Sequence, residues 1–73
     1  MVQSPPLDRT FGALSDPTRR GILERLGRGD ASISELAETF DMTLTGVKKH
    51  VRILEEAGLA STEKRGRTRY CRL

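Results

Sequence analysis

The sequence predicts a mainly α domain with a small β-hairpin: about four short helices followed by two strands. Three observations carry this. Apolar residues recur at helical spacing as far as Ala57, cap and turn residues sit at each break, and past Gly58 the period changes to that of strands around Arg65-Gly66. Seventy-three residues, 36% of them apolar, can line one modest core, so a single domain is expected. A core of that size supplies only a few kcal/mol.

Residues 1–6, with Pro5 and Pro6, read as a flexible lead-in, and residues 7–73 as the domain. Leu7, Phe11 and Leu14 fall at i, i+4 and i+7, which predicts a first helix over about Leu7 to Leu14 with that stripe as its apolar face. Asp16 then suits an N-cap, and Pro17 the first helical position, where its missing N–H is not needed. The second helix carries Ile22, Leu23 and Leu26 and stops in Gly27-Arg28-Gly29. Ser32-Ile33-Ser34-Glu35 fits a capping box, and Ile33, Leu36, Ala37 and Phe40 follow as one helical stripe. Asp41-Met42-Thr43 has room only for a tight turn. Thr43 caps a fourth helix over about Leu44 to Ala57, with Val47, Val51 and Leu54 inward and His50 and Ile53 beside them. Gly58 is placed to end it in the left-handed conformation. Leu59 to Lys64 and Arg67 to Leu73 read as two strands, and Gly66 supplies the positive φ of a tight hairpin. Cys71 and Leu73 share a face with Arg69, and Tyr70 falls on the other, so the pattern alone leaves the inward face open. Tyr70 is read as core, with stacking on the sugar-phosphate as the alternative.

Several function classes are excluded. One cysteine and one histidine allow neither an internal disulfide nor a Cys/His zinc cage. No apolar run approaches the roughly 18–20 residues of a membrane span. The opening MVQSPPLDRT lacks a signal pattern, so a cytoplasmic chain is expected. No paired carboxylates sit near a nucleophile and no phosphate-cradling glycine loop precedes a helix, so neither an enzyme nor a cofactor is expected. Aromatics at 4% disfavour a single-strand stacking platform.

Charge is unevenly placed. Residues 1–41 hold five basic and seven acidic side chains, whereas residues 42–73 hold eight basic and three acidic ones. Such a one-sided positive patch attracts polyanions, nucleic acid foremost. The third and fourth helices form a helix-turn-helix candidate. With Val47, Val51 and Leu54 inward, the fourth helix presents Thr45, Lys48, Lys49 and Arg52 outward, and its first acid is Glu55. That charge order suits a helix whose N-terminal turns face base edges and phosphates. The hairpin tip, Lys64-Arg65-Gly66-Arg67, with Arg69 behind it, can reach a neighbouring groove or the backbone. The same charges would also serve a module that binds an acidic protein surface. His50 serves either a DNA contact or local packing. Arg19 and Arg20 are read as surface charge near the second helix's start, with contact to the DNA backbone as the alternative. Cys71 is read as a chemically inert strand residue, with a thiol switch as the alternative because neighbouring arginines lower a thiol's pKa.

Residues 7–73 resemble the winged helix-turn-helix domain of the ArsR/SmtB-type bacterial transcriptional repressors. The resemblance is carried by Phe11 to Leu23 (FGALSDPTRRGIL), Ile33 to Ala37, Val47 to Leu59 (VKKHVRILEEAGL) and Gly66 to Tyr70. It implies a homodimer on an inverted-repeat operator in double-stranded DNA, repressing transcription until released. Carried over by position, Thr43, Leu44, Thr45, Lys48, Lys49 and His50 match the family's DNA-reading turn, and Lys64 to Arg69 its wing. Three departures stand out. The stretch that holds the family's thiolate metal site reads Ser34-Glu35-Leu36-Ala37-Glu38, without cysteine, so no metal is expected. The family usually continues past the wing into a helix that pairs with the first helix across the dimer, and a chain stopping at Leu73 is expected to dimerise more weakly. Leu44 and Gly46 replace polar or small residues, and Gly46 costs about 1 kcal/mol of helix propensity relative to alanine.

Overall fold

The second, third and fourth helices each begin where a side chain takes up an orphaned backbone N–H. The computed structural model describes the backbone of residues 5–73 and the side chains from Asp8 onward. In chain order the elements are α1 (Pro5–Leu14), α2 (Pro17–Leu26), β1 (Ala31–Ser32), α3 (Ile33–Thr39), α4 (Leu44–Glu56), β2 (Ser61–Arg65) and β3 (Thr68–Arg72). Asp16 accepts from the Arg19 N–H at 3.1 Å, with Pro17 opening α2. The Ser32/Glu35 capping box forms in full, and Thr43 accepts from the Gly46 N–H at 3.1 Å. The residues expected as lead-in divide: Pro5 and Pro6 belong to α1, and residues 1–4 lie outside the described residues.

Both helices of the turn end in the same geometry. The Met42 N–H reaches the Ala37 carbonyl at 2.9 Å and the Asp41 N–H the Glu38 carbonyl at 3.3 Å, with Asp41 at φ 51°. After α4 the corresponding bonds are Leu59 to Leu54 and Gly58 to Glu55, both 2.9 Å, with Gly58 at φ 74°. These are Schellman closures. The first turns the chain from α3 to α4 within four residues, and the second releases it into the hairpin.

The core is built from Ala13, Ile22, Leu26, Ala31, Ile33, Leu36, Ala37, Val47, Val51, Leu54 and Cys71. Two expectations are corrected here. Phe11, placed on the inward stripe of α1, is 63% exposed, and Leu14 is only half-buried. Among the described side chains of that helix Ala13 is the buried one, because α1 packs on α4 and α2 and a methyl group lets the helices close up, while the side chain of Leu7 lies outside the described residues. The two-stranded hairpin also proves to be part of a three-stranded antiparallel sheet in the order β1-β3-β2, with Ala31 opposite Cys71 and Ser32 opposite Tyr70.

Arg19 and Arg20, read as surface charge, tie α1 to α2. The last carbonyls of a helix have no partner within it. Here Arg19 donates to the Gly12 and Ala13 carbonyls, both at 2.9 Å, and Arg20 to the Leu14 carbonyl at 2.6 Å.

Candidate nucleic-acid interface

The rotation of α4 is set by its buried stripe. With Val47, Val51 and Leu54 inward, Thr45, Lys48, Lys49 and Arg52 are exposed on the outer side. Thr43 and Leu44 stand at its start, and Leu44 is 48% exposed. Gly46 has a local reason. A Cβ there would stand 3.1 Å from Met42 Cε and 3.2 Å from Thr43 Oγ1, so glycine leaves room for the cap that starts the helix.

Pairing in the hairpin decides which wing side chains join this face. Residues directly opposite in an antiparallel pair point to the same side. Thr62 pairs with Cys71 and Lys64 with Arg69, and Cys71 is buried. Lys64 and Arg69 therefore extend the inner face of the sheet past the core, towards α4. The alternate pairs, Glu63 with Tyr70 and Arg65 with Thr68, belong to the outer face. Gly66, at φ 65°, and Arg67 form the two-residue tip.

Between α4 and the wing runs a cationic groove. One part, about 340 Å³, has Ile33 and Leu44 at its base and Lys48, Lys64, Arg67 and Arg69 around it. The adjoining part, about 600 Å³, runs along α4 past Thr45, Lys49 and Arg52. A hydroxyl relay holds its two walls together: Thr62 Oγ1 donates to Glu55 Oε2 at 3.0 Å and accepts from Arg69 Nη1 at 2.9 Å. Glu55 thus fastens the helix to the wing. Glu56 pairs loosely with Arg52 at 3.8 Å, where the Arg52 side chain is 80% exposed. Among the described residues, the side chains of Lys48, Lys49, Lys64 and Arg67 make no hydrogen bond or ion pair within the chain.

Two expected DNA contacts lie elsewhere. His50 faces the junction of α1 and α2. Its Nδ1 is 3.2 Å from Arg19 Nη1 and 4.0 Å from Asp16 Oδ2. The ring is held against these two side chains and not on the outer side of α4, so packing is the role the geometry favours. The Asp16 carboxyl is held below its ordinary range, chiefly by the Arg19 backbone N–H, with smaller help from the charges of His50 and Arg19. Arg65 lies on the outer face of the wing. It donates to Asp30 at 2.7 Å and Glu63 at 3.2 Å and stacks 4.7 Å from the centre of the Tyr70 ring. The Asp30 carboxylate, then that of Glu63, raises the pKa of its guanidinium. Tyr70, expected in the core, is half-buried beneath that stack. These pairings were invisible in the sequence because they join residues 31 and 35 positions apart.

Cys71 corrects the thiol-switch alternative. Burial pushes its pKa from 9.0 up to about 11, Glu55 adds to the rise, and Arg69 opposes it without prevailing. The folded chain holds this proton more tightly than the unfolded chain does. The stabilisation it contributes is therefore complete below about pH 9 and is lost as pH rises towards 11. At pH 8 the native protein should resist alkylation by iodoacetamide, and urea-unfolded protein should react readily. Equal rates would show the thiol to be accessible.

A short helix presented on a turn, flanked by a basic hairpin with a cationic groove between them, defines a winged helix-turn-helix domain of the kind that lies on duplex DNA. Comparison with known proteins gives the same class. A family model described as a helix-turn-helix domain matches residues 14–63. The transcriptional repressor SdpR of Bacillus subtilis is 36% identical over 64 residues, covering 88% of this chain and 71% of that protein. The crystal structure of an ArsR family transcriptional regulator is 50% identical, with a TM-score of 0.86 over 100% of this chain and 76% of that one. A homodimeric winged helix-turn-helix DNA-binding domain from Mycobacterium bovis is 26% identical, with a TM-score of 0.88 over 97% of this chain and 72% of that one. The chain belongs to the ArsR family of helix-turn-helix transcriptional regulators. This is a class of DNA-binding regulators and not of enzymes.

Proposed function

We propose that this regulator is a repressor that binds an inverted-repeat operator as a homodimer, each copy laying α4 in the major groove and its wing along the adjacent groove or backbone. The observation that carries this reading is the convergence of free cations, Lys48 and Lys49 from the helix with Lys64 and Arg67 from the wing, on one groove. Thr43, Leu44, Thr45 and Lys48 are assigned to base edges and the phosphates beside them. Lys49, Arg52, Lys64, Arg67 and Arg69 are assigned to the backbone and the adjacent groove. His50 and Arg65 are left out because they face other partners. The exposed Phe11, beside a shallow groove of about 160 Å³ lined by Arg9, Gly12, Ala13, Ile53 and Glu56, marks α1 as the surface for the second copy. The homodimeric relative supports that assembly.

Selection of duplexes from a random library tests the reading, and an enriched palindrome is the expected result. Thr45→Ala or Lys48→Ala should then change which sequence is preferred, each lost base contact costing about 1–3 kcal/mol. Arg67→Ala should weaken all duplexes alike. If no sequence is enriched, or if the helix and wing variants behave identically, the groove assignment is wrong.

A further inference from the structure

The outer face of the wing carries a cluster that the DNA-facing groove does not use. Asp30 precedes β1 on one side of the sheet, and Glu63 and Arg65 lie on β2 at the other, with the central strand β3 between them. The Arg65 guanidinium spans that width. It reaches Asp30 Oδ2 at 2.7 Å with Nη2 and Glu63 Oε2 at 3.2 Å with Nε, and it lies over the Tyr70 ring of β3. Arg72 Nη1 approaches the same Glu63 oxygen at 3.9 Å. One planar side chain thus engages all three strands or their immediate flanks, using the fork and the flat face that arginine has and lysine lacks.

We propose that Arg65 is a positioning residue that braces the wing from behind and makes no contact with DNA. By fixing β2 to the start of β1 across β3, it sets the angle at which the tip leaves the sheet. It thereby holds Lys64, Arg67 and Arg69 at the groove beside α4. The relay through Thr62 fastens the inner face, and Arg65 fastens the outer one. The side chain that sequence position places at the wing tip, next to two DNA-facing cations, is turned away because its strand neighbours alternate faces. This inference rests on the duplex-binding reading, and its test separates the two.

The test compares Arg65→Ala, Arg65→Lys, Asp30→Asn and Arg67→Ala by duplex affinity at several salt concentrations, using the selected operator. Arg67→Ala should reduce the salt slope by about one per bound copy, the mark of a lost phosphate contact. Arg65→Ala should weaken binding about two- to fivefold with the slope unchanged, in keeping with a surface ion-pair network. Arg65→Lys, which keeps the charge and loses the fork, should resemble Arg65→Ala. Asp30→Asn is the sharpest arm. Removing an acid near a polyanion site tightens binding on charge alone, whereas removing the brace's partner weakens it. The double variant Asp30→Asn, Arg65→Ala should bind like Arg65→Ala. A slope lowered by Arg65→Ala, full activity in Arg65→Lys, or tighter binding by Asp30→Asn would each overturn the proposal. If wild-type protein binds no duplex, the functional reading fails instead. Amide exchange in the free protein then decides: faster exchange at Glu63 and Thr68, whose N–H groups bond across the hairpin, in Arg65→Ala and Asp30→Asn but not in Arg67→Ala supports the brace, and unchanged exchange refutes it.

Discussion

Raising salt from about 50 to about 200 mM should cut the affinity for duplex DNA by roughly two to three powers of ten for each bound copy. The groove offers four cations with no partner among the described residues, Lys48, Lys49, Lys64 and Arg67, and two more, Arg52 and Arg69, whose own bonds leave donors free. If about four to six phosphates are neutralised per protomer, the logarithm of the binding constant falls against that of salt with a slope near −4 to −5. The term comes from counterions released by the DNA, so it is independent of sequence and should appear with selected and unrelated duplexes alike. Affinity measured by fluorescence anisotropy across a salt series reads the slope directly. A flat response would mean that these side chains do not meet a nucleic-acid backbone, and the groove would need another occupant.

The second large effect is on folding. Leu54→Ala should cost about 2–5 kcal/mol, the range for truncating a fully buried leucine where neighbours cannot close the space. A core of this size supplies only a few kcal/mol in total, so the urea midpoint should fall most of the way to zero. Leu54 also supplies the carbonyl that closes the turn after α4, and that backbone bond survives the substitution. The loss therefore reports side-chain packing alone. A cost under about 1 kcal/mol would show that α4 is not seated on this core.

What the sequence disclosed and what it concealed divide by range. The capping box at Ser32 and Glu35, the caps at Asp16 and Thr43, the terminator at Gly58 and the turn at Gly66 are legible because each is a bond or torsion decided within a few residues. The stripes of α3 and α4 are legible for the same reason. Strand β1 is not: two residues, Ala31 and Ser32, carry no period, and only pairing with Cys71 and Tyr70 makes them a strand. Phe11 misled because helical spacing names an apolar face without saying whether anything covers it within the chain. The cationic groove was legible in outline from the charge order of α4 and the tip. Its membership was not, since the two arginines of β3, Arg69 and Arg72, fall on opposite faces and strand period alone cannot say which face turns inward. Arg19 lies 31 residues from His50 and Asp30 lies 35 from Arg65, and pairings at that range leave no local trace.

The single hydroxyl of Thr62, shared between Glu55 and Arg69, bears on how an operator can be spelled. A reader whose two fingers hang on a common pivot has one fixed stride. On the proposed reading, a site with one base pair added between the steps touched by the helix and by the hairpin would fall out of phase. No swivel of either finger alone could restore it.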